Sequence, residues 1–364
     1  MCAQRSPQGG RGNPLRVGII GCGTIGAAHA QAAAASDQIE LAAVADVQRA
    51  LAERTAAAYA VGTVYNSGAE LLADARVEAV VLALPASFRI ELGMQALQAG
   101  KHLLTEKPVA RSADEVRRLI SVQGDRVAAC CSSRFHFLES TRTVTDWIDR
   151  GKLGALRLLR CRAIVPAGPA PETPPPAWRL SRELNGGGIL VNWGCYDLDY
   201  LLGISGWRLR PQTVLAQSWR VPSTFADTVA PESDGETHIA GLVRCADGIV
   251  LTYERGEYAA AQAETSWEVI GETGSLRLWM TPAQEKEILY YENDRANGTT
   301  AQTLWTGSES YMDIHRPLLE DFATAVRTGR PPKTTLAQAL LVQQITDALY
   351  RSAETGEAVE ISET

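Results

Sequence analysis

Short apolar runs alternate with alanine-rich amphipathic stretches over the first 130 residues of the chain. The runs at 16–20 (RVGII), 39–46 (IELAAVAD), 77–84 (VEAVVLAL) and 102–107 (HLLTEK) have the length and β-branched content of buried parallel strands. Helical periodicity fills the gaps, near 24–35, 48–60, 87–99 and 112–122. The last of these opens on Ser112-Ala113-Asp114-Glu115, a capping-box pattern in which Ser and Glu satisfy each other's free amides. Strand–helix alternation at this spacing predicts βαβ units on a doubly wound, mainly parallel sheet. Residues 127–132 (VAACCS) supply a sixth strand that closes it.

The pattern changes after a helix near 138–150. Residues 166–176 (PAGPAPETPPP) form a proline-rich loop, unable to be helix or central strand. From about 211 to 292 strands joined by turns are expected, among them 238–245, 249–255, 266–270 and 275–280. Asp247-Gly248 and 271–274 (GETG) carry hairpin chemistry. Two amphipathic helices, near 311–327 and 336–352, end the chain. The expected organisation is a disordered tail over 1–14, an α/β dinucleotide-binding domain of the Rossmann type over 15–135, and an α+β domain with a mostly antiparallel sheet over 136–364. No internal repeat stands out.

Composition narrows the function. The 364 residues exceed what one compact core organises, so two domains are expected. With 45% hydrophobic and 21% charged residues the chain is globular rather than disordered. A net charge of −7 and the lack of a long basic run argue against nucleic acid or an anionic membrane as partner. The seven cysteines are scattered without a CxxC pair, the usage of free thiols in a reducing compartment. The N-terminus has no apolar signal-peptide core, and no apolar run approaches the roughly 18 residues of a membrane span. A cytoplasmic protein is expected. The five histidines, at 29, 102, 136, 238 and 315, show no metal-ligand spacing, and neither HExxH nor GxSxG occurs, so no metal site and no serine hydrolase is expected.

The strongest local signal is Gly21-Cys22-Gly23-Thr24-Ile25-Gly26, directly after a strand and opening a helix. Its glycines serve a tight turn, close approach of a pyrophosphate and helix-on-strand packing, and the helix N-terminus attracts the phosphates. Asp46, 20 residues past Gly26, ends the second strand where a carboxylate binds the adenosine ribose hydroxyls. That carboxylate repels a 2′-phosphate, which favours NAD over NADP; Arg49 nearby weakens the preference.

With 100–108 (GKHLLTEKP), Arg134-Phe135, Trp178-Arg179, 186–199 (GGGILVNWGCYDLD) and 271–276 (GETGSL) added to 21–29 (GCGTIGAAH), the sequence resembles the Gfo/Idh/MocA family over nearly its whole length. The family is named for glucose–fructose oxidoreductase, inositol dehydrogenase and a rhizopine-catabolism protein. The resemblance implies a Rossmann domain followed by a large open-faced sheet domain that forms homodimers or homotetramers. It further implies NAD(H)-dependent hydride transfer at a hydroxyl or carbonyl carbon of a sugar, sugar derivative or cyclitol. It puts Lys107 beside the nicotinamide and the reacting oxygen, with Pro85 and Glu106 among the cofactor contacts. The position agrees with elementary topology, since a strand-end lysine points into the crevice of a doubly wound sheet, and Pro108 holds Lys107 extended.

Departures from the family pattern matter as much. Many relatives carry Asp and His, four apart, after the GGG; here Asn192 and Tyr196 stand there. Helical spacing puts Asn192, Tyr196 and Asp199 on one face. Tyr196 is then an acid–base partner of Lys107, its phenol pKa lowered by the ammonium, or it only packs against nicotinamide or substrate. Asp199 reads as a structural cap or orienting partner. His136 is the alternative proton carrier, and the alternative to that is a packing role. Arg134, Trp178 and Arg179 read as substrate-pocket residues along with Lys107, Asn192 and Tyr196, although Trp178 and Arg179 also suit a loop anchor. Ala86 and Arg89 depart from the family pattern near the nicotinamide. Two other functions compete: a glycosidase that oxidises and re-reduces its substrate with bound NAD, and a non-catalytic NAD-binding regulator.

Overall fold

The structure, a computed structural model, describes residues 13–169, 171–172 and 175–361. The tail expected over 1–14 therefore lies almost wholly outside the described residues, as does part of the proline-rich loop. Six strands, β1 (Leu15–Ile20), β2 (Ile39–Ala45), β3 (Val64–Tyr65), β4 (Ala79–Leu82), β5 (His102–Thr105) and β6 (Ala128–Cys130), build the first sheet. All pair in parallel, in the order β3-β2-β1-β4-β5-β6. The chain leaves β1 toward β2 on one side and returns to β4 on the other. This reversal opens the crevice at the strand C-termini in which such sheets bind ligands.

The expected helices are present as Thr24–Ala34, Arg49–Tyr59, Arg89–Gln98, Ala113–Gln123 and Glu139–Asp149. The strand β3 was not legible, because two residues at a sheet edge carry no periodicity. The capping box at Ser112 is only half formed. Ser112 accepts from the Glu115 amide at 3.3 Å, but the Glu115 carboxylate accepts from the Arg111 amide and guanidinium instead. A charged donor outcompetes the Ser112 N–H. A full box caps the final helix, where Thr335 and Gln338 bond reciprocally.

Nine strands form the second sheet: β7 (Leu156–Pro166), β8 (Pro211–Trp219), β9 (His238–Cys245), β10 (Val250–Ala259), β11 (Glu264–Gly271), β12 (Gly274–Leu278), β13 (Lys286–Asp294), β14 (Gly298–Gly307) and β15 (Val359–Glu360). Their order is β14-β13-β12-β11-β7-β10-β9-β8-β15, antiparallel except for β7 beside β10. Asp247 and Gly248 take φ of 63° and 77°, as the two central residues of a tight I′ hairpin turn require. One face is dry: Leu159, Val243, Leu251, Tyr253, Trp267 and Val269 pack against the helices Cys195–Ile204 and Leu336–Thr355. The other is open, with Leu215 and Leu242 exposed and paired across β8 and β9, beside the ion pairs Arg160–Glu268 and Arg162–Glu254. Strand β7 places these arginines on the open face in a regular alternation, with Leu159, Cys161 and Ala163 facing inward.

The helix Met312–Thr328 returns to the first sheet, where Leu318, Leu319, Phe322 and Ala323 complete one of its cores. Its approach carries Tyr311 to the mouth of the crevice between the domains.

Candidate active site

The glycine loop has the mechanics that dinucleotide binding needs. Gly21 has φ of +96°, and a Cβ there would lie 2.4 Å from the Ala83 carbonyl oxygen. A Cβ on Gly26 would lie 1.9 Å from the Gly21 oxygen, so only glycine lets the helix sit this close to β1. Gly23 faces open space. It is the N-cap of Thr24–Ala34, and no side chain caps that terminus. Thr24 and Ile25 thus present first-turn amides to whatever fills the crevice. Asp46 fixes the loop, accepting from the Cys22 amide at 2.7 Å and the Gln48 amide at 2.8 Å. Arg49 turns away, onto Glu53 and Asn66. The residues present fit a dinucleotide.

The end of β5 brings Glu106 and Lys107 to the same edge. Glu106 is buried and accepts from His29 Nε2 at 2.8 Å and from Arg134. Burial alone would raise its pKa; the Arg134 guanidinium, with His29 and Lys107, holds it well below the usual carboxylate range. Arg89, also buried, donates to the carbonyls of Leu84, Glu106 and Pro108. It therefore ties the Pro85 loop to the segment that carries Lys107, a role its position as a departure gave no reason to expect. Its neighbour Ala86 is buried.

Lys107 points at the helix that follows the glycine triplet. A π turn, Leu190–Gly194, interrupts the helical ladder just before Cys195–Ile204. Such turns gather at functional sites because they change which backbone groups the helix satisfies. The carbonyl of its central residue, Asn192, accepts from Lys107 Nζ at 2.6 Å, and the Asn192 side-chain oxygen lies at 3.3 Å. The ammonium sits over the Tyr196 ring, 4.7 Å from its centroid. Burial lowers the Lys107 pKa, Cys195 and Glu106 oppose that, and Arg134 and Arg89 add to it.

Tyr196 is 6% exposed, edge-on to Phe135 and tilted against Trp193. Its phenol pKa lies well above 10: burial raises it further than Arg134 lowers it. The expected lowering by the lysine is thus corrected, because Lys107 meets the ring face and not the hydroxyl. Lys107, Arg134, Asn192 and Tyr196 line one cavity of about 260 Å³ together with Arg179, Phe135, Trp193, Tyr311 and Ile314.

Other expected residues lie elsewhere. Asp199 does not share the cavity, although helical spacing aligns it with Tyr196. The helix is buried on every side, so each face meets a different wall. Asp199 accepts from Ser132 at 2.7 Å, Thr334 at 2.9 Å and His136 at 2.8 Å. His136, buried in that pair and stacked on Tyr200, is not in the cavity lining. Trp178 is also outside the lining and partly exposed, while Arg179 reaches the cavity with its guanidinium on Glu257.

Sequence reasoning missed the layer behind the cavity. Asp197 is fully buried and bonds Arg255 twice, at 2.7 and 2.9 Å, as well as Trp267 and Tyr253. Arg255 in turn lies 4.8 Å from the Trp193 ring centroid and props that wall. The sequence held a signal: two aspartates, Asp197 and Asp199, in an otherwise apolar helix each demand a partner. A further grouping, His29, Glu106 and Cys131, brings three ligand atoms within 4.8 Å, which spacing along the chain did not suggest. Arg134 already occupies the carboxylate, and burial pushes the Cys131 thiol well above its usual pKa, so hydrogen bonds and ion pairing hold the three.

Two family models match the chain. "Oxidoreductase family, NAD-binding Rossmann fold" spans residues 15–128, and "GFO/IDH/MocA C-terminal domain" spans 141–277. A D-glucoside 3-dehydrogenase of Escherichia coli (strain K12) is 27% identical over 363 residues, 96% of this chain and 98% of its own. A D-xylose 1-dehydrogenase (NADP(+)) of Haloferax volcanii is 29% identical, covering 95% of this chain and 100% of its own. Among solved structures, levoglucosan dehydrogenase in complex with NADH and L-sorbose aligns with a TM-score of 0.82 at 20% identity, over 97% of this chain and 100% of that one. At that identity the likeness is one of fold.

Proposed function

The chain belongs to the Gfo/Idh/MocA family of NAD(P)-dependent oxidoreductases, and from that premise we propose that it interconverts a hydroxyl and a carbonyl carbon of a sugar, sugar derivative or cyclitol, with Lys107 handling the proton. One observation carries this reading: a desolvated lysine at the C-terminal edge of the parallel sheet, held by the Asn192 carbonyl inside an aromatic-walled cavity. Bound nicotinamide supplies the hydride acceptor or donor. Asp46 supports NAD over NADP, since Arg49 is engaged by Glu53 and Asn66 rather than free for a 2′-phosphate. One relative's name carries NADP(+), so kinship alone does not decide the matter.

The proton chemistry follows from environment. Burial lowers the Lys107 pKa and makes the neutral amine accessible, so it takes the proton of the substrate hydroxyl in oxidation. In reduction the ammonium returns it. Tyr196, its pKa raised by burial, keeps its proton through the working range and serves as a hydrogen-bond donor to the reacting oxygen, not as a base. Phe135, Trp193 and Tyr311 give the apolar face of a pyranose or cyclitol ring something flat to rest on. Relatives named for a glucoside and for xylose support the sugar class.

A panel of sugars, glycosides and polyols with NAD and with NADP, read by absorbance of the reduced nicotinamide, tests the proposal. Net NADH formation with a sugar or cyclitol is expected. Glycoside cleavage without NADH accumulation points instead to the redox–elimination route, and binding of NAD with no turnover of any panel member to a regulator.

A further inference from the structure

The glycine triplet before the π turn is closed by one residue. Glu236, 6% exposed, lies just ahead of β9. Its carboxylate accepts from the Gly188 amide at 2.9 Å, the Leu190 amide at 2.8 Å and the Tyr350 hydroxyl at 2.9 Å. Its own carbonyl accepts from the Ile189 amide at 2.8 Å. Three consecutive N–H groups at the start of this helical segment thus end on a single residue. A Cβ at Gly188 would lie 1.9 Å from the Glu236 oxygen, and one at Gly187 would lie 1.9 Å from the Tyr350 hydroxyl. These glycines admit Glu236 and Tyr350 to the backbone. The Asn192 amide then bonds the Gly188 carbonyl at 3.0 Å, and the Asn192 carbonyl holds Lys107.

We propose that Glu236 is a positioning residue for Lys107, acting through the π turn whose Asn192 carbonyl receives the lysine's ammonium; this rests on the reading of Lys107 given above. A carboxylate on N-terminal amides makes strong, charge-assisted bonds. Loosening them lets the turn relax and draws the Asn192 carbonyl away from Lys107. The ammonium then loses an acceptor, so the lysine's pKa falls further. Around Lys107 the other charged or titratable groups are Glu106, Arg89, Arg134, Cys195 and Tyr196, with Arg179 and Tyr311 across the cavity; around Glu236 they are Tyr350, Arg182, Arg220, Asp234 and Glu354.

The test is competitive acetylation of the full chain across pH, read by mass spectrometry, with exposed Lys152 as internal control. It titrates Lys107 without turnover. Glu236→Gln should shift the Lys107 titration to lower pH by about half a unit or more. With the lysine displaced from the reacting oxygen, the pH-independent plateau of kcat should also fall roughly tenfold while KM and NADH affinity stay within about threefold. Tyr350→Phe alters no side-chain charge at neutral pH, so a smaller shift in the same direction reports geometry, and it serves if Glu236→Gln does not fold. An unmoved Lys107 titration in a folded variant, with only the melting temperature lowered, overturns the proposal. Lys107→Arg with wild-type turnover would instead sink the catalytic reading of Lys107 and leave the acetylation result standing by itself.

Discussion

Replacing Asn192 by aspartate puts a carboxylate where an amide oxygen now lies 3.3 Å from Lys107 Nζ. At an effective dielectric near 20, a charge pair at 3.3 Å attracts by about 5 kcal/mol, or roughly 4 pKa units. Desolvating the new carboxylate reduces this, and opposite charges at such range usually give about 1–3 units. The sign is fixed by the chemistry. Burial lowers the Lys107 pKa in the native protein, and Asn192→Asp raises it by stabilising the ammonium. Oxidation needs the neutral amine, so its rate climbs with pH through the Lys107 pKa. That limb of the kcat profile should move to higher pH by about 1–3 units, with about a tenfold loss per unit at a fixed pH below it. Reduction needs the ammonium, so its alkaline limb should move up in parallel. Profiles of kcat from pH 5.5 to 10.5 in both directions, on one substrate, read the effect. A limb that stays put, or moves to lower pH, refutes the assignment of the proton step to Lys107.

Asp46→Ala removes a carboxylate expected to bond the ribose; NAD affinity should fall about 10–100-fold and the NADP to NAD ratio of kcat/KM should rise, whereas an unchanged preference removes Asp46 from cofactor choice. His136→Ala leaves Asp199 buried without its ring partner and should cost about 3–5 kcal/mol in denaturant unfolding, with kcat of the folded protein within a few-fold of wild type; a hundredfold loss of kcat at unchanged stability would restore His136 as proton carrier. The open sheet face with Leu215 and Leu242 should be covered by a second copy, so light scattering at micromolar concentration should give a dimer or tetramer, and a stable monomer contradicts this.

The first domain was largely readable because its determinants are local. Gly21, Gly26 and Asp46 each answer to a neighbour one strand or one turn away, Gly23 to the open space in front of it, and the runs that became β1, β2, β4, β5 and β6 are mostly buried. What was hidden depends on long-range partners. Strand β7 alternates arginines whose partners, Glu254 and Glu268, lie on strands about a hundred residues away. The helix after the triplet has regular helical spacing, and its π turn has no local sequence signal. That turn decides where the Asn192 carbonyl goes. Asp199 and Tyr196 share a face by arithmetic, but the walls against that helix separate them. The Tyr196 pKa moves up rather than down because burial, which depends on the whole fold, outweighs Arg134.

Turnover of Lys107→Ala, measured beside its NADH dissociation constant, tests the central claim most directly. The lysine acts at the reacting oxygen, whereas the glycine loop and Asp46 hold the nucleotide. kcat in both directions should therefore fall by about 10²–10⁴, the usual worth of a placed proton-transfer group, while NADH affinity stays within about threefold of wild type. Near-wild-type kcat in Lys107→Ala would contradict the account.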